Sequence, residues 1–181
     1  RLDSPDLSDL LQNFRPRFGD AFLVPSQRVH CIGADNLLWE LAERPARALE
    51  VSRWNEDGPP ISAEEQNLAM SNIFFLDRQF ARISRETGPL SHTRKVPLVR
   101  YCPQFIVDEI RLCDHVFERT TGVSFHLIGV VEGAVEIVAG GEQTVFHQGA
   151  VALIPATLGE YKVYVRGEWA NLIKVTLQPL P

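Results

Sequence analysis

From residue 96 onward the chain breaks into short apolar runs separated by Gly and Pro turns at near-regular spacing, and this rhythm constrains its fold more than anything else in it. Phe105-Ile-Val-Asp-Glu-Ile-Arg-Leu112 alternates with period two, the pattern of a strand with one buried face. Ser124 to Val131 reads as a buried strand, with Val135 to Val138 pairing with it across a Glu132-Gly133 turn. Gly140-Gly141 reads as a hairpin turn into a strand from Thr144 to His147, and Gly149 opens another strand that leads to Pro155. Lys162 to Val165 and Asn171 to Leu177 close the set. Short strands at this spacing predict an antiparallel sandwich or barrel, here a mainly β jelly roll.

Upstream the pattern is sparser. Ser4-Pro5-Asp6 reads as a helix N-cap with Pro at the first helical position, and Pro16 ends that element. After a Gly19-Asp20 turn, Ala21 to Val24 reads as a short strand. Residues 28 to 42, RVHCIGADNLLWELA, predict a hairpin turning at Gly33-Ala34-Asp35. Ser62-Ala-Glu-Glu65 is a capping box, and Leu68, Ala69, Ile73 and Leu76 follow on one face of a helix expected over about residues 63 to 77. Residues 79 to 97, basic and weakly periodic, read as a linker. The frames Gly19-x5-Pro25 and Gly149-x5-Pro155 match each other, which hints at two copies of one β-unit. The expected organisation is a first unit over 1–60, a helix and linker over 61–95, and a second unit over 96–181.

Composition excludes some classes of partner. A net charge of −5 and a pI near 5.5, with no Lys/Arg cluster, argue against nucleic-acid binding. No stretch approaches the ~20 apolar residues that a membrane-spanning helix needs. The start, RLDSPDLSDLL, lacks an initiator Met and the features of a signal peptide, so the expectation is a processed, trimmed or partial cytoplasmic product. Cys31, Cys102 and Cys113 are far apart and lie in apolar runs, which predicts buried free thiols in a reducing compartment.

Gly19-x5-Pro25-x-Gln27-x2-His30-x3-Ala34 resembles the second cupin motif, with Gln27 in place of its glycine and Ala34 in place of its asparagine. The longer run GDAFLVPSQRVHCIGADNLLWEL resembles the segment around the second zinc histidine of type I mannose-6-phosphate isomerases, in their small bacterial form. Glu40 matches the strand-end Glu of that family, and Trp54-Asn55 its Trp-Asn pair. Downstream, Ser124-Phe-His-Leu, Val131-Glu-Gly133 and Leu153-Ile-Pro-Ala-Thr-Leu-Gly-Glu-Tyr161 resemble the family's C-terminal cupin. The resemblance covers nearly the whole chain but only the C-terminal part of the family's usual length. It implies a partial first cupin jelly roll, a short connecting helix and a complete second cupin. The implied activity interconverts mannose 6-phosphate and fructose 6-phosphate through a zinc-assisted cis-enediol, and the implied partner is a phosphorylated sugar. A monomer is expected.

The resemblance assigns His30 as a zinc ligand, but the family's other ligands lie upstream of the matched region. Zinc takes three or four protein ligands. Either the chain is a piece of a longer isomerase or it has lost the site. The family also places an arginine ten residues after the strand-end Glu, in the sugar-phosphate site. An ungapped count from Glu40 reaches Glu50, which reverses the charge there, whereas a three-residue gap would bring Arg47 into register. Arg15, Arg17, Arg28, Arg44 and Arg53 are further candidates for holding a phosphate, because guanidinium matches its oxygens in a bidentate way. The competing readings are a non-catalytic cupin-type sugar-binding or regulatory protein, and a β-domain that mediates assembly with no ligand at all. Of the other histidines, His126 reads as structural and His147 as surface, while His92 and His115 lie in polar segments.

Overall fold

The computed structural model describes residues 11–42, 49–52, 59–76, 82–83 and 91–178. The chain divides into two compact units, Arg1–Ser84 and Arg85–Pro181. The boundary falls inside the stretch expected as a linker, and the helix belongs to the first unit.

In the first unit, β1 (Ala21–Phe22) pairs antiparallel with β2 (Arg82–Ile83). Both Asp20 carboxylate oxygens accept from the Arg82 guanidinium at 2.7 and 2.8 Å, and one also accepts from the Arg17 backbone N–H at 2.7 Å. The helix α1 (Ala63–Ser71) starts at the expected capping box. Glu65 N–H donates to the Ser62 hydroxyl at 3.2 Å, and Ser62 N–H donates back to the Glu65 carboxylate at 3.3 Å. The helix stops at Ser71, short of the expected residue 77. There the Ser71 hydroxyl and the Asn72 amide both donate to the Leu68 carbonyl at 2.8 Å, satisfying it from side chains instead of the next helical turn.

The hairpin expected over residues 28–42 is not formed. Its turn exists, with Asp35 at φ +61° and the Asn36 amide donating to the Gly33 and Ala34 carbonyls at 3.0 Å, but no ladder flanks it. A two-stranded hairpin is marginal in water unless a third strand or a helix covers its apolar face. Ile32, Leu37, Leu38 and Trp39 are exposed, and the described residues provide no strand that pairs with this segment. Cys31 is exposed too, against the expectation of burial, while Cys102 and Cys113 are half-buried; all three are free thiols. The helix expected near Ser4 lies outside the described residues.

The second unit carries nine strands: β3 (Arg94–Val99), β4 (Phe105–Leu112), β5 (His115–Arg119), β6 (His126–Glu132), β7 (Ala134–Ala139), β8 (Glu142–His147), β9 (Val151–Ile154), β10 (Glu160–Val165) and β11 (Ala170–Leu177). They form a four-stranded sheet, β5-β10-β7-β8, and a five-stranded sheet, β3-β4-β11-β6-β9. The antiparallel ladders β4–β11, β5–β10, β6–β9 and β7–β8 are nested, as in one long hairpin with its tip at Gly140-Gly141. Rolling that hairpin brings β10 beside β7 and β11 beside β6. This is the jelly roll that the sequence predicted.

Two details depart from expectation. The strand from Ala134 does not pair with the one before it; the chain crosses from one sheet to the other at Gly133. Gly133 has φ +78°, and a Cβ there would lie 2.6 Å from the Trp169 carbonyl oxygen, so the crossing requires glycine. The other departure is β3, which occupies part of the supposed linker as an edge strand, where Pro97 is tolerated beside a register shift.

Period-two alternation turns Ile110, Leu112, Leu172, Ile128, Val130, Ile137 and Val163 into one core between the sheets. The same alternation places Asp108, His126 and Lys174 in phase with those apolar residues, at the end of the roll where β4 and β6 begin. The loops there are joined to each other. Thr120 N–H donates to the Gly159 carbonyl at 3.0 Å, Gly159 N–H to the Thr120 hydroxyl at 2.8 Å, and Gly122 N–H to the Ala156 carbonyl at 2.9 Å.

Candidate functional site

His30 lies on an irregular segment and is exposed. Its Nδ1 is 3.1 Å from the Arg28 carbonyl oxygen, which can only accept, so Nδ1–H is the donor in that contact. The fit of zinc can be judged from the donors around it. Among the described residues no group of three or more His, Cys, Asp or Glu side chains is placed to hold a metal ion. The described residues therefore do not make the zinc site that the resemblance implies. Glu50 and Glu40 are exposed. Arg47, which the gapped alignment would bring into register, lies outside the described residues, as do Arg44, Arg53 and Trp54-Asn55. Arg15 and Arg17 are exposed, and the Arg28 guanidinium donates to the Leu23 carbonyl at 3.1 Å.

The densest polar chemistry lies inside the jelly roll. Glu118 on β5 accepts across the interior from Lys174 Nζ on β11 at 2.6 Å. It also accepts from Lys95 Nζ on β3 at 2.9 Å. Lys95 lies 3.6 Å from Asp108 Oδ2 on β4, and the other Asp108 oxygen is paired with the Arg100 guanidinium. The side chains of Glu118, Lys174 and Asp108 are 10%, 7% and 8% exposed, whereas Lys95 and Arg100 are 40% and 39% exposed. Two carboxylates thus face three cations, an excess of one positive charge, with two of the cations open to solvent.

A neutral pair lies beside this cluster. His126 Nδ1 on β6 is 2.7 Å from the Tyr161 hydroxyl on β10, and both residues are buried. Burial, helped by the negative charge of Glu118, pushes the Tyr161 phenol above its ordinary range, so the hydroxyl keeps its proton and donates it. Burial also lowers the His126 pKa, as do the Lys174 and Lys95 ammonium groups, against an opposing effect from Glu118. His126 is then neutral and accepts at Nδ1. For Glu118, burial alone would raise the carboxyl's pKa, but hydrogen bonds from Lys174 and Lys95 outweigh it and hold it below the usual range. Burial is the main cause that lowers the Lys174 pKa, opposed by its bond to Glu118.

Sequence reasoning did not single out this cluster. The signal was present: Asp108 falls in phase with Ile110 and Leu112, and Lys174 in phase with Leu172, so each is a charge at an inward position. What the chain order hides is that Glu118, 56 residues from Lys174, is its partner.

No protein-family model matches this sequence, and no curated protein does. Solved structures similar to it include TT1209 from Thermus thermophilus (22% identity, 55% of this chain and 92% of that one, TM-score 0.43). A cupin 2 conserved barrel domain protein from Salinispora arenicola aligns at 18% identity over 52% of this chain and 90% of its own, with TM-score 0.41. An HTH_3 family transcriptional regulator from Vibrio cholerae aligns at 17% identity over 49% of this chain, which spans only 52% of that protein, with TM-score 0.42. These likenesses concern about half of the chain and do not bear on isomerase activity. The mainly β jelly roll rests on the strand topology itself. Among the described residues no helix is long and apolar enough to cross a membrane.

Proposed function

We propose that this chain is a non-catalytic, cupin-type sugar-phosphate-binding protein rather than a zinc isomerase in its own right. The observation that carries this reading is the Lys174–Glu118–Lys95 cluster inside the jelly roll, with Arg100 paired to Asp108 beside it. A divalent cation placed there would meet two ammonium groups within hydrogen-bond distance of the same carboxylate. An anion would meet the N–H groups of Lys95 and Arg100, both partly open to solvent, and guanidinium suits phosphoryl oxygens. Glu50, at the position of the family's arginine, is a second feature against turnover, because a carboxylate there repels a phosphorylated substrate.

The isomerase reading is supported by the sequence resemblance around His30 and through Leu153 to Tyr161, and by the nearness of Arg47 to the arginine's register. A coupled assay of mannose 6-phosphate conversion with zinc supplied separates the two. The proposal expects no turnover by the chain or by its Glu50→Arg variant, together with a concentration-dependent rise in Tm on adding mannose 6-phosphate. Turnover by the unmodified chain would overturn it and favour the isomerase.

A further inference from the structure

The outer face of the four-stranded sheet carries chemistry that the interior cluster does not use. Strand register places Phe117, Lys162, Val138 and Gln143 in one row across β5, β10, β7 and β8, and His115, Tyr164, Glu136 and Val145 in the next. Three rings adjoin: His115 lies 5.0 Å from Phe117, edge-on, and 5.6 Å from Tyr164. Phe117 is 62% exposed on an edge strand, with the Lys162 ammonium 4.7 Å over its ring. A groove of about 690 Å³ runs from Phe117 to Gln143 and Gly140 at the β7–β8 turn, with Lys162 and Val138 also lining it.

We propose that this groove is a second binding site, for a neutral oligosaccharide. Its volume falls in the range of small-ligand sites, roughly 300–1,000 Å³. Four strands at about 4.8 Å spacing make the row about 14 Å long, the shape of a short extended chain rather than of a compact ion. The charges around it come close to cancelling: Arg119, Lys162 and Arg166 stand against Glu136 and Glu160, with Glu136 paired to Arg166. So small a net charge offers an ionic ligand little field, but the mixed charges supply donors and acceptors on both sides for hydroxyl groups. The part of the Phe117 ring that Lys162 does not cover adds an apolar surface on which the C–H face of a sugar ring packs.

The test is a titration of the isotope-labelled full chain with cellohexaose, mannohexaose and xylohexaose at millimolar concentration, followed by amide NMR. The proposal expects at least one of the three to shift the amides of Phe117, Lys162, Val138 and Gln143 in a saturable way. Phe117→Ala should weaken that binding about tenfold, or about 1.4 kcal/mol. If Phe117→Ala does not fold by circular dichroism, Gln143→Ala replaces it, with a measurable loss expected. Absence of shifts on this face with all three sugars, shifts centred elsewhere, or unchanged affinity in the variant overturns the proposal. So does concentration-dependent self-association that Phe117→Ala abolishes, which would assign the face to a second copy of the chain.

Discussion

Replacing Lys174 with methionine should strongly destabilise the second unit. The substitution keeps an unbranched side chain of similar length but removes the ammonium 2.6 Å from Glu118 Oε2. Glu118, with its side chain 10% exposed, is then left with Lys95 as its cationic partner. Removing one partner of a buried pair costs about 3–5 kcal/mol, and the surviving Lys95 contact places the loss near 3 kcal/mol. For a unit of roughly 100 residues each kcal/mol moves Tm by about 4–8 °C, so a fall of roughly 12–24 °C is expected. The pH dependence has a definite sign. The Glu118 carboxyl is held below its ordinary value, so its contribution is full above the unfolded-state pKa of about 4.3 and is lost as pH falls through the folded-state value. In Lys174→Met burial is less opposed, so that loss should begin at higher pH. The assay is urea denaturation of parent and variant across the acid range. Replacing Glu118 as well, in Glu118→Leu with Lys174→Met, should recover most of the loss, because an apolar pair of similar volume removes the uncompensated charge. A single variant within ~0.5 kcal/mol of the parent, the scatter of ordinary surface substitutions, would refute the reasoning.

Three further outcomes are expected. Gly133→Ala should cost about 2 kcal/mol or more by thermal denaturation, because the added Cβ meets the Trp169 carbonyl at 2.6 Å in a backbone with φ +78°; a neutral effect would mean that the crossing between sheets is misplaced. Tyr161→Phe should cost about 1–3 kcal/mol, since it leaves the buried His126 Nδ1 without its donor, and denaturant midpoints measure it. NMR titration of His126 in the parent should give a pKa below the ordinary value of about 6.5. Stability from that neutral imidazole is present above the unfolded-state pKa and declines as pH falls through the folded-state value, so an elevated His126 pKa would contradict the proposed environment.

Sequence pattern located the strands of the second unit where one face is apolar and the turns are glycine. Phe105–Leu112 has the bounds its alternation predicts, and Gly140-Gly141 closes the β7–β8 hairpin. Pattern was blind to sheet membership: Glu132-Gly133 has the composition of a hairpin turn, and nothing local states that the chain leaves one sheet for the other. It also missed β3, whose Arg94, Lys95 and Pro97 resemble a linker until edge position explains them, and β5, where inward-facing Glu118 interrupts a five-residue run. Residues 28–42 failed in the opposite direction, because apolar periodicity promises a strand only where a partner covers it. The site was less legible than the fold. His30, Glu50 and Arg47 came from resemblance, whereas Asp108, Glu118 and Lys174 acquire meaning only when β4, β5 and β11 face one interior.

The most direct test of the account is a calorimetric titration of the full chain with mannose 6-phosphate, repeated on a Lys95→Met, Arg100→Ala double variant. The account predicts saturable binding by the parent that weakens as salt is raised and is largely lost in the double variant, since the two solvent-accessible cations would hold the phosphoryl group. Binding of equal strength in parent and double variant, or none to the parent, would contradict it.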